Sequence, residues 1–206
     1  MKTQIVTIFA ALVLSTGIAA TSYAAARADN GSFTVLNDVS AINKIEVRGN
    51  VELYISDGAA DQVKVYNKYY AESALVQSKN GVLSIASYKA EKLVVWVTAN
   101  DLRSVSAYDS ADVRSFGDLS KIEFNVDLHN NSSAKLNLDV FSANLTVADN
   151  AKANLTGSAD ECKLKYSNAA NVNQTGFVTV NASKTLTTVA ASKIPVVNGL
   201  DDLADL

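Results

Sequence analysis

Histidine and cysteine, which many enzymes use as nucleophiles or metal ligands, are nearly absent from this chain. Its 206 residues include one histidine, His129, and one cysteine, Cys162. These counts exclude metal centres built from several histidines or cysteines. A Ser-His-Asp triad would place His129 beside an activated serine, but the sequence has no Gly-x-Ser-x-Gly elbow. We therefore expect His129 to be a solvated side chain at a turn.

Carboxylates are the remaining candidates for acid–base chemistry. Asp109 and Asp149 occupy equivalent turns, two coils apart, in the repeat described below. Two strand spacings are about 9.6 Å, near the upper end of the carboxyl separation in inverting glycosidases. However, Asn130 and Asn168 fill the same column, which indicates a ladder of turn residues. The Asp109-x-x-Asp112 pair lacks the further acidic ligands of a calcium site, so we expect no metal or cofactor.

Tyrosines near the N-terminal end of the mature chain are the best candidates for contact with a ligand. A tyrosine exposes a flat apolar face and a hydrogen-bonding hydroxyl, which suit sugars or protein partners. The alternative is that these side chains cover the side of the N-terminal sheet. The predicted binding residues are Tyr54, Tyr66, Lys68, Tyr69 and Tyr70.

Composition and charge exclude other classes of protein. Hydrophobic residues make up 48% of the chain and charged residues only 19%, which is too apolar for a disordered protein. Eighteen basic residues against 21 acidic ones give a net charge of −3, which argues against a nucleic-acid-binding module.

The first 24 residues have the pattern of a secretory signal peptide. Lys2 supplies the positive start, Ile5–Leu14 supplies a short apolar stretch, and Ser22-Tyr23-Ala24 supplies a small-x-small cleavage site. The apolar stretch is too short to span a membrane comfortably. The mature chain is therefore expected to be exported, to the periplasm or the cell surface, and not to span the membrane.

The mature chain divides into a linker over 25–32, one domain over 33–190 and a tail over 191–206. The tail begins a new pattern, because Pro195 is the only proline and leucines recur every third residue from Leu200. It either caps the last coil, frays, or docks to a partner.

The domain is predicted to be all-β. Apolar and polar residues alternate along Ile45–Ile55, with a bend at Gly49-Asn50, and Asn80-Gly81 is a turn signal before another strand. Leu93–Val97 is apolar on both faces, which predicts a strand covered on both sides.

The second half of the domain contains a repeat with a period of 19 residues. Phe124–Asn131 matches Ala143–Asn150, which matches Cys162–Ala169, and a looser copy at Leu102–Ser110 lies about 21 residues upstream. A fixed period of about 19–21 residues with Asn- and Asp-rich turns is typical of a β-solenoid. The alternative is an antiparallel sandwich whose repeats are accidental.

Stacked coils would place repeated apolar residues in buried columns. Val126, Leu145 and Leu164 would form one column, and alternation places Cys162 on the same inward face. The ends of two coils also match, 153–157 against 172–176, again 19 residues apart. A second column would contain Leu128, Val147 and Tyr166.

Six segments of the domain occur in an order that is typical of a known family: Phe33–Val35, Ile45–Gly58, Val63–Val65, Asn80–Ile85, Val94–Leu102 and Ser106–Val113. In that order they resemble the GIN domain, the putative auto-transporter adhesin head domain common in exported Bacteroidetes proteins. The resemblance implies a right-handed parallel β-helix-like fold and no established catalytic residues. The family's Gly-Ser-Gly-type turns are replaced here by Asn and Asp, which also tolerate the left-handed conformation.

The sequence thus predicts a non-catalytic envelope or cell-surface module that binds a glycan or a protein. Two alternatives stay open: a polysaccharide-active enzyme, lyase or hydrolase, using Asp109 and Asp149, or a structural envelope protein that self-associates through its edge strands.

Overall fold

The computed structural model describes residues 33–36, 39, 41–66, 75–168 and 171–187, and the fold is built from β-strands within these ranges. The predicted signal peptide (1–24), linker (25–32) and C-terminal tail (191–206) lie outside the described residues. The strands are β1 (Thr34–Leu36), β2 (Lys44–Gly49), β3 (Val51–Asp57), β4 (Gln62–Tyr66), β5 (Leu75–Lys79), β6 (Val82–Ser87), β7 (Leu93–Ala99), β8 (Ser104–Tyr108), β9 (Asp112–Ser115), β10 (Leu119–Leu128), β11 (Ser133–Val147), β12 (Lys152–Tyr166) and β13 (Val172–Leu186).

All the strands belong to one sheet that curls into a half-barrel around the core. The long strand β11 lies at its centre, because its first half pairs with β9 and its second half with β10. We call β1, β4, β7, β3, β9 and the first halves of β11–β13 the first wing. The second wing contains β10, β8, β2, β6, β5 and the second halves of β11–β13. The all-β class predicted from the sequence is confirmed.

The 19-residue repeat pairs in the predicted register. Val126 lies opposite Leu145, and Leu145 lies opposite Leu164, in parallel strands. All three side chains are almost fully buried, as is Cys162. Each coil therefore shares its apolar row with the next coil, because a single row cannot be buried by its own coil alone.

Three of the four predicted members of the turn ladder follow one another as expected, and the backbone N–H of the third, Asp149, donates to Ser167 Oγ at 3.2 Å. Asp109, Asn130 and Asp149 all have positive φ angles, of 62°, 60° and 56°. The backbone N–H of Asp109 donates to Asn130 Oδ1 at 3.3 Å, and that of Asn130 donates to Asp149 Oδ2 at 2.9 Å. Asn and Asp thus serve both as left-handed residues and as acceptors for the preceding coil.

The N-terminal edges of the sheet differ from a solenoid that is parallel throughout. β1 pairs with β4, β4 with β7, and β5 with β6 in antiparallel register. The β5–β6 connection consists of Asn80 and Gly81, both with positive φ, and a two-residue turn can only join antiparallel strands. The description as a right-handed parallel solenoid therefore stays a prediction.

One part of the predicted repeat is shifted by a residue. Asn154 lies opposite Asn173 as expected, but Thr156 lies opposite Gly176 instead of Thr175. An irregularity between Asn154 and Thr156 absorbs the extra residue of β13. From Thr156 onward, paired residues of β12 and β13 are therefore 20 positions apart in the sequence. The predicted 19-residue match of 153–157 with 172–176 holds for its first positions and is wrong from Thr156 onward.

His129 lies at the turn after β10, as predicted, and is partly exposed. Its ring stacks on Tyr108 with centroids 5.0 Å apart. The guanidinium carbon of Arg48 lies 3.8 Å from the centre of the Tyr108 ring on the neighbouring strand. The stack was not predicted, because it joins side chains from three parts of the chain that no local pattern connects.

Candidate functional site

The outer side of the first wing carries a row of aromatic and cationic side chains. Lys64 lies opposite Trp96, Trp96 opposite Tyr54, Tyr54 opposite Arg114, and Arg114 opposite Lys135. The five residues come from β4, β7, β3, β9 and β11. Because side chains alternate along a strand, the residues on either side of each one point into the core and leave this row on the surface.

Three aromatic rings form a continuous platform in the middle of this surface. The rings of Tyr54 and Trp96 stack with centroids 4.6 Å apart and planes inclined by 18°. Phe116 contacts Trp96 at a centroid distance of 5.3 Å, and 63% of Phe116 is exposed. Phe33, which directly precedes β1, and Tyr66 on β4 form a second pair, with ring centroids 5.1 Å apart. We call these five residues the aromatic face.

Two of the five predicted binding residues, Tyr54 and Tyr66, lie on the aromatic face. They stand on β3 and β4, and β7 separates them, so that the closest ring to Tyr54 is that of Trp96. The other three, Lys68, Tyr69 and Tyr70, lie outside the described residues.

Trp96 was missed because its strand was predicted to be covered on both sides. In the structure only one side of β7 is covered, since Val94 and Trp96 are half-buried and alternate with fully buried neighbours. The apolar outer side of β7 belongs to the aromatic face instead of a second layer. A signal was available, because Trp96 is the only tryptophan in the chain and large rings dominate binding surfaces.

Polar contacts hold the platform from one side. Tyr54 Oη donates to Glu52 Oε1 at 2.8 Å, and this hydrogen bond to a carboxylate raises the pKa of the Tyr54 phenol. The Arg114 guanidinium lies 2.6 Å from Asp112 and 3.4 Å from Glu52. Ser133 Oγ donates to the other oxygen of Asp112 at 2.9 Å. These bonds fix the side chains next to the Tyr54 ring.

An open groove of about 460 Å³ runs from Arg114 across the first halves of β11 to β13. Its walls offer amide, hydroxyl, ammonium and carboxylate groups, which together can donate to and accept from a hydroxyl-rich ligand. The groove is lined by Asp112, Arg114, Ser133, Ala134, Lys135, Lys152, Ala153, Asn154, Asn171 and Asn173.

The carboxylates near these surfaces are engaged in structural contacts. Asp112 and Glu52 both bind Arg114, an arrangement that orients side chains. Asp109 accepts a hydrogen bond from Tyr88 Oη at 3.0 Å, and Asp149 accepts one from the Asn130 backbone. Within the described part of the chain, no three His, Cys, Asp or Glu side chains lie close enough to share a metal ion.

The described residues thus form an all-β half-barrel with an exposed aromatic face beside a polar groove. A family model matches residues 41–201, and the chain belongs to that family, described as putative auto-transporter adhesin, head GIN domain. The resemblance found in the sequence is thereby confirmed.

Solved structures share the fold at low sequence identity. A putative adhesin from Bacteroides fragilis is 14% identical, with a TM-score of 0.68 over 76% of each chain. A putative adhesin from Parabacteroides merdae is also 14% identical, with a TM-score of 0.59 over 77% of this chain and 79% of the other. A putative lipid binding protein from Parabacteroides distasonis is 10% identical, with a TM-score of 0.52 over 75% and 78%.

No curated protein matches the chain. Among the described residues, there is no helix with the length and hydrophobicity needed to cross a membrane.

Proposed function

We propose that this chain is a non-catalytic exported module of the cell envelope or surface, and that its aromatic face binds a glycan. The observation that carries the proposal is the Tyr54–Trp96 stack, extended by the exposed Phe116 ring. Sugar rings have apolar C–H faces that pack on aromatic rings, while their hydroxyls need hydrogen-bonding partners. The platform supplies aromatic rings, and the adjoining groove supplies hydrogen-bonding partners.

The known relatives support the same class of function. The family description names a putative auto-transporter adhesin head, and the solved structures from Bacteroides fragilis and Parabacteroides merdae are named putative adhesins. The predicted signal peptide over 1–24 supports export to the periplasm or the cell surface. We further propose that the stacked coils of β10–β13 form the right-handed β-helix-like part of the domain, which holds the face rigid.

The direct experiment is a glycan-array screen of residues 25–206, followed by titration of the best glycan. Phe116→Ala removes an exposed ring, so the fold should tolerate it. Trp96→Ala removes the centre of the platform. We expect a loss of about 5- to 13-fold in affinity for Trp96→Ala, since one lost stacking contact is worth about 1–1.5 kcal/mol. Phe116→Ala should lose less.

A matched control is Tyr88→Ala, because Tyr88 is 72% exposed and stands at the end of β6, on the second wing. Its removal should leave glycan affinity unchanged. Equal binding by wild type, Trp96→Ala and Phe116→Ala would show that the aromatic face is not the binding site. Release of reducing ends from any polysaccharide on the array would overturn the non-catalytic assignment.

A further inference from the structure

We infer that the glycan bound at the aromatic face is an anionic polysaccharide, with carboxylate or sulfate groups on its sugar rings. The inference rests on the proposed glycan-binding function and adds the chemical class of the ligand. Lys64 stands on one side of the Trp96–Tyr54 platform, and Lys135 and Lys152 stand on the other.

The spacing of these cations suits a chain of sugars that crosses the strands. Lys64 and Lys135 belong to one transverse row, with β7, β3 and β9 between their strands. Four strand spacings of about 4.8 Å separate them by roughly 19 Å. A polysaccharide lying along this row would stack on the central rings and bring charged groups to both ends.

The lysines at the two ends of the row have no carboxylate partner among the described residues, whereas the arginine between them does. Arg114 is paired with Asp112 and Glu52. Lys64, Lys135 and Lys152, in contrast, make no ion pair with any of the described side chains. Asp112, which pairs with Arg114, is the one carboxylate among the described residues that line the groove. Three lysines and Arg114 against the carboxylates of Asp112 and Glu52 give this surface an excess of positive charge, in a chain whose net charge is −3.

An aromatic contact positions the ammonium group of Lys64. Its Nζ lies 5.7 Å from the centre of the Phe33 ring, within the range of a cation–π interaction. This contact holds the charge over the aromatic face without neutralising it. The ammonium group is therefore already positioned for contact with an anionic ligand.

The test compares polysaccharides of different charge on residues 25–206. The probes are polygalacturonate, which carries carboxylates, dextran sulfate, which carries sulfates, and uncharged dextran. We expect at least tenfold tighter binding of one or both anionic probes than of dextran. That binding should weaken as the salt concentration rises from about 50 to about 500 mM, because salt screens exposed charges.

The double variant Lys135→Gln/Lys152→Gln tests the site itself. It should reduce the affinity for the anionic probe at least tenfold and flatten its salt dependence. The matched control is Lys163→Gln/Lys165→Gln, which makes the same charge change at exposed positions on the second wing. The control should bind like wild type, and equal losses in both double variants would overturn the inference.

The remaining outcomes separate this inference from the proposed function. Dextran could bind as tightly as the charged probes and lose that binding in Trp96→Ala. This result would support the proposed glycan-binding function and overturn the inference that the ligand is anionic. Binding of no glycan at all would overturn both. Equal binding of double-stranded DNA would show an unspecific attraction to polyanions and overturn the assignment to a polysaccharide.

Discussion

The rings of Tyr54 and Trp96 stack on the outside of the domain at a centroid distance of 4.6 Å. The contact follows from parallel pairing, which places the two residues opposite each other on β3 and β7 with both side chains on the outer face. Trp96 is the only tryptophan in the chain. The intrinsic tryptophan fluorescence of this protein therefore reports on the proposed binding site alone.

We predict that glycan binding changes the emission of Trp96. A sugar ring placed on the platform removes water from the indole, so the emission maximum should move to shorter wavelength in proportion to occupancy. Titration followed by fluorescence should give the same Kd as calorimetry. A ligand that binds by calorimetry and leaves the emission unchanged would lie elsewhere on the protein.

We predict that Gly49→Ala destabilises the domain by about 2–3 kcal/mol. Gly49 ends β2 with a φ of +79°, and a Cβ there would lie 2.1 Å from the Ser87 carbonyl oxygen. The control is Gly117→Ala, because Gly117 has a φ of +80° and a Cβ at that position would meet no atom within 4 Å. Urea unfolding should show a cost of only about 1 kcal/mol for Gly117→Ala. Equal costs would show that the approach of Ser87 is not the source of the strain.

Asn130 should be replaceable by glycine more easily than by alanine. Its φ is 60°, and its side chain accepts the N–H of Asp109. Both variants lose the acceptor, but glycine adopts the left-handed conformation without strain, while alanine keeps a Cβ there without the local side-chain hydrogen bonds that help asparagine to tolerate it. We expect Asn130→Ala to cost about 1–2 kcal/mol in total and Asn130→Gly less. Chemical denaturation of the two variants measures the difference. An alanine variant as stable as the glycine variant would mean that the backbone relaxes at this turn.

The Cys162 thiol should make the folded chain less stable at high pH. Burial raises its pKa above the ordinary value near 9, while exposure on unfolding restores that value. The stability from the neutral thiol is therefore complete below about pH 9 and is lost as the pH rises toward the folded-state pKa. Wild type and Cys162→Ala should differ less in unfolding free energy at about pH 10.5 than at about pH 8. A constant difference would contradict a raised pKa.

Lys184 is expected to limit association through the end coil. It lies opposite Leu164, which belongs to the buried column that contains Val126 and Leu145, and it is exposed on β13, the last of the described strands. A charge at an inward position disfavours the addition of another strand. Lys184→Leu should therefore raise the sedimentation coefficient at high concentration. Ser183→Leu, which adds the same side chain on the outer face, is the control, and identical sedimentation of the two variants would count against this role.

The sequence predicted the C-terminal half of the fold closely, because its order is encoded in a repeat. Residues that are 19 positions apart lie on the same face of their strands and have the same apolar or polar character. The register of Phe124, Ala143 and Cys162 therefore follows from their spacing alone. The turn ladder follows from the same repeat, because Asp and Asn tolerate positive φ. The extra residue in β13 was missed, since Thr156-Gly157 and Thr175-Gly176 match in the sequence without a gap.

The candidate site was predicted only in part, because it joins strands that are distant in the sequence. Local alternation indicated that Tyr54 and Tyr66 point outward, and the structure confirms that both lie on the outer face. Local patterns do not tell which strand lies next to which, and the pairing of β3 with both β7 and β9 brings Trp96 and Arg114 to Tyr54. The antiparallel edge strands were missed for the same reason.

The sequence by itself determined the all-β class, the family and the inward columns, because periodicity and turn chemistry act over short distances along the chain. Only the tertiary structure decided which side chains share the outer face of the first wing. That decision depends on the order of strands across the sheet, which is set by packing around the common core and not by any single segment. The Tyr54–Trp96 platform and the lysines beside it are products of that order.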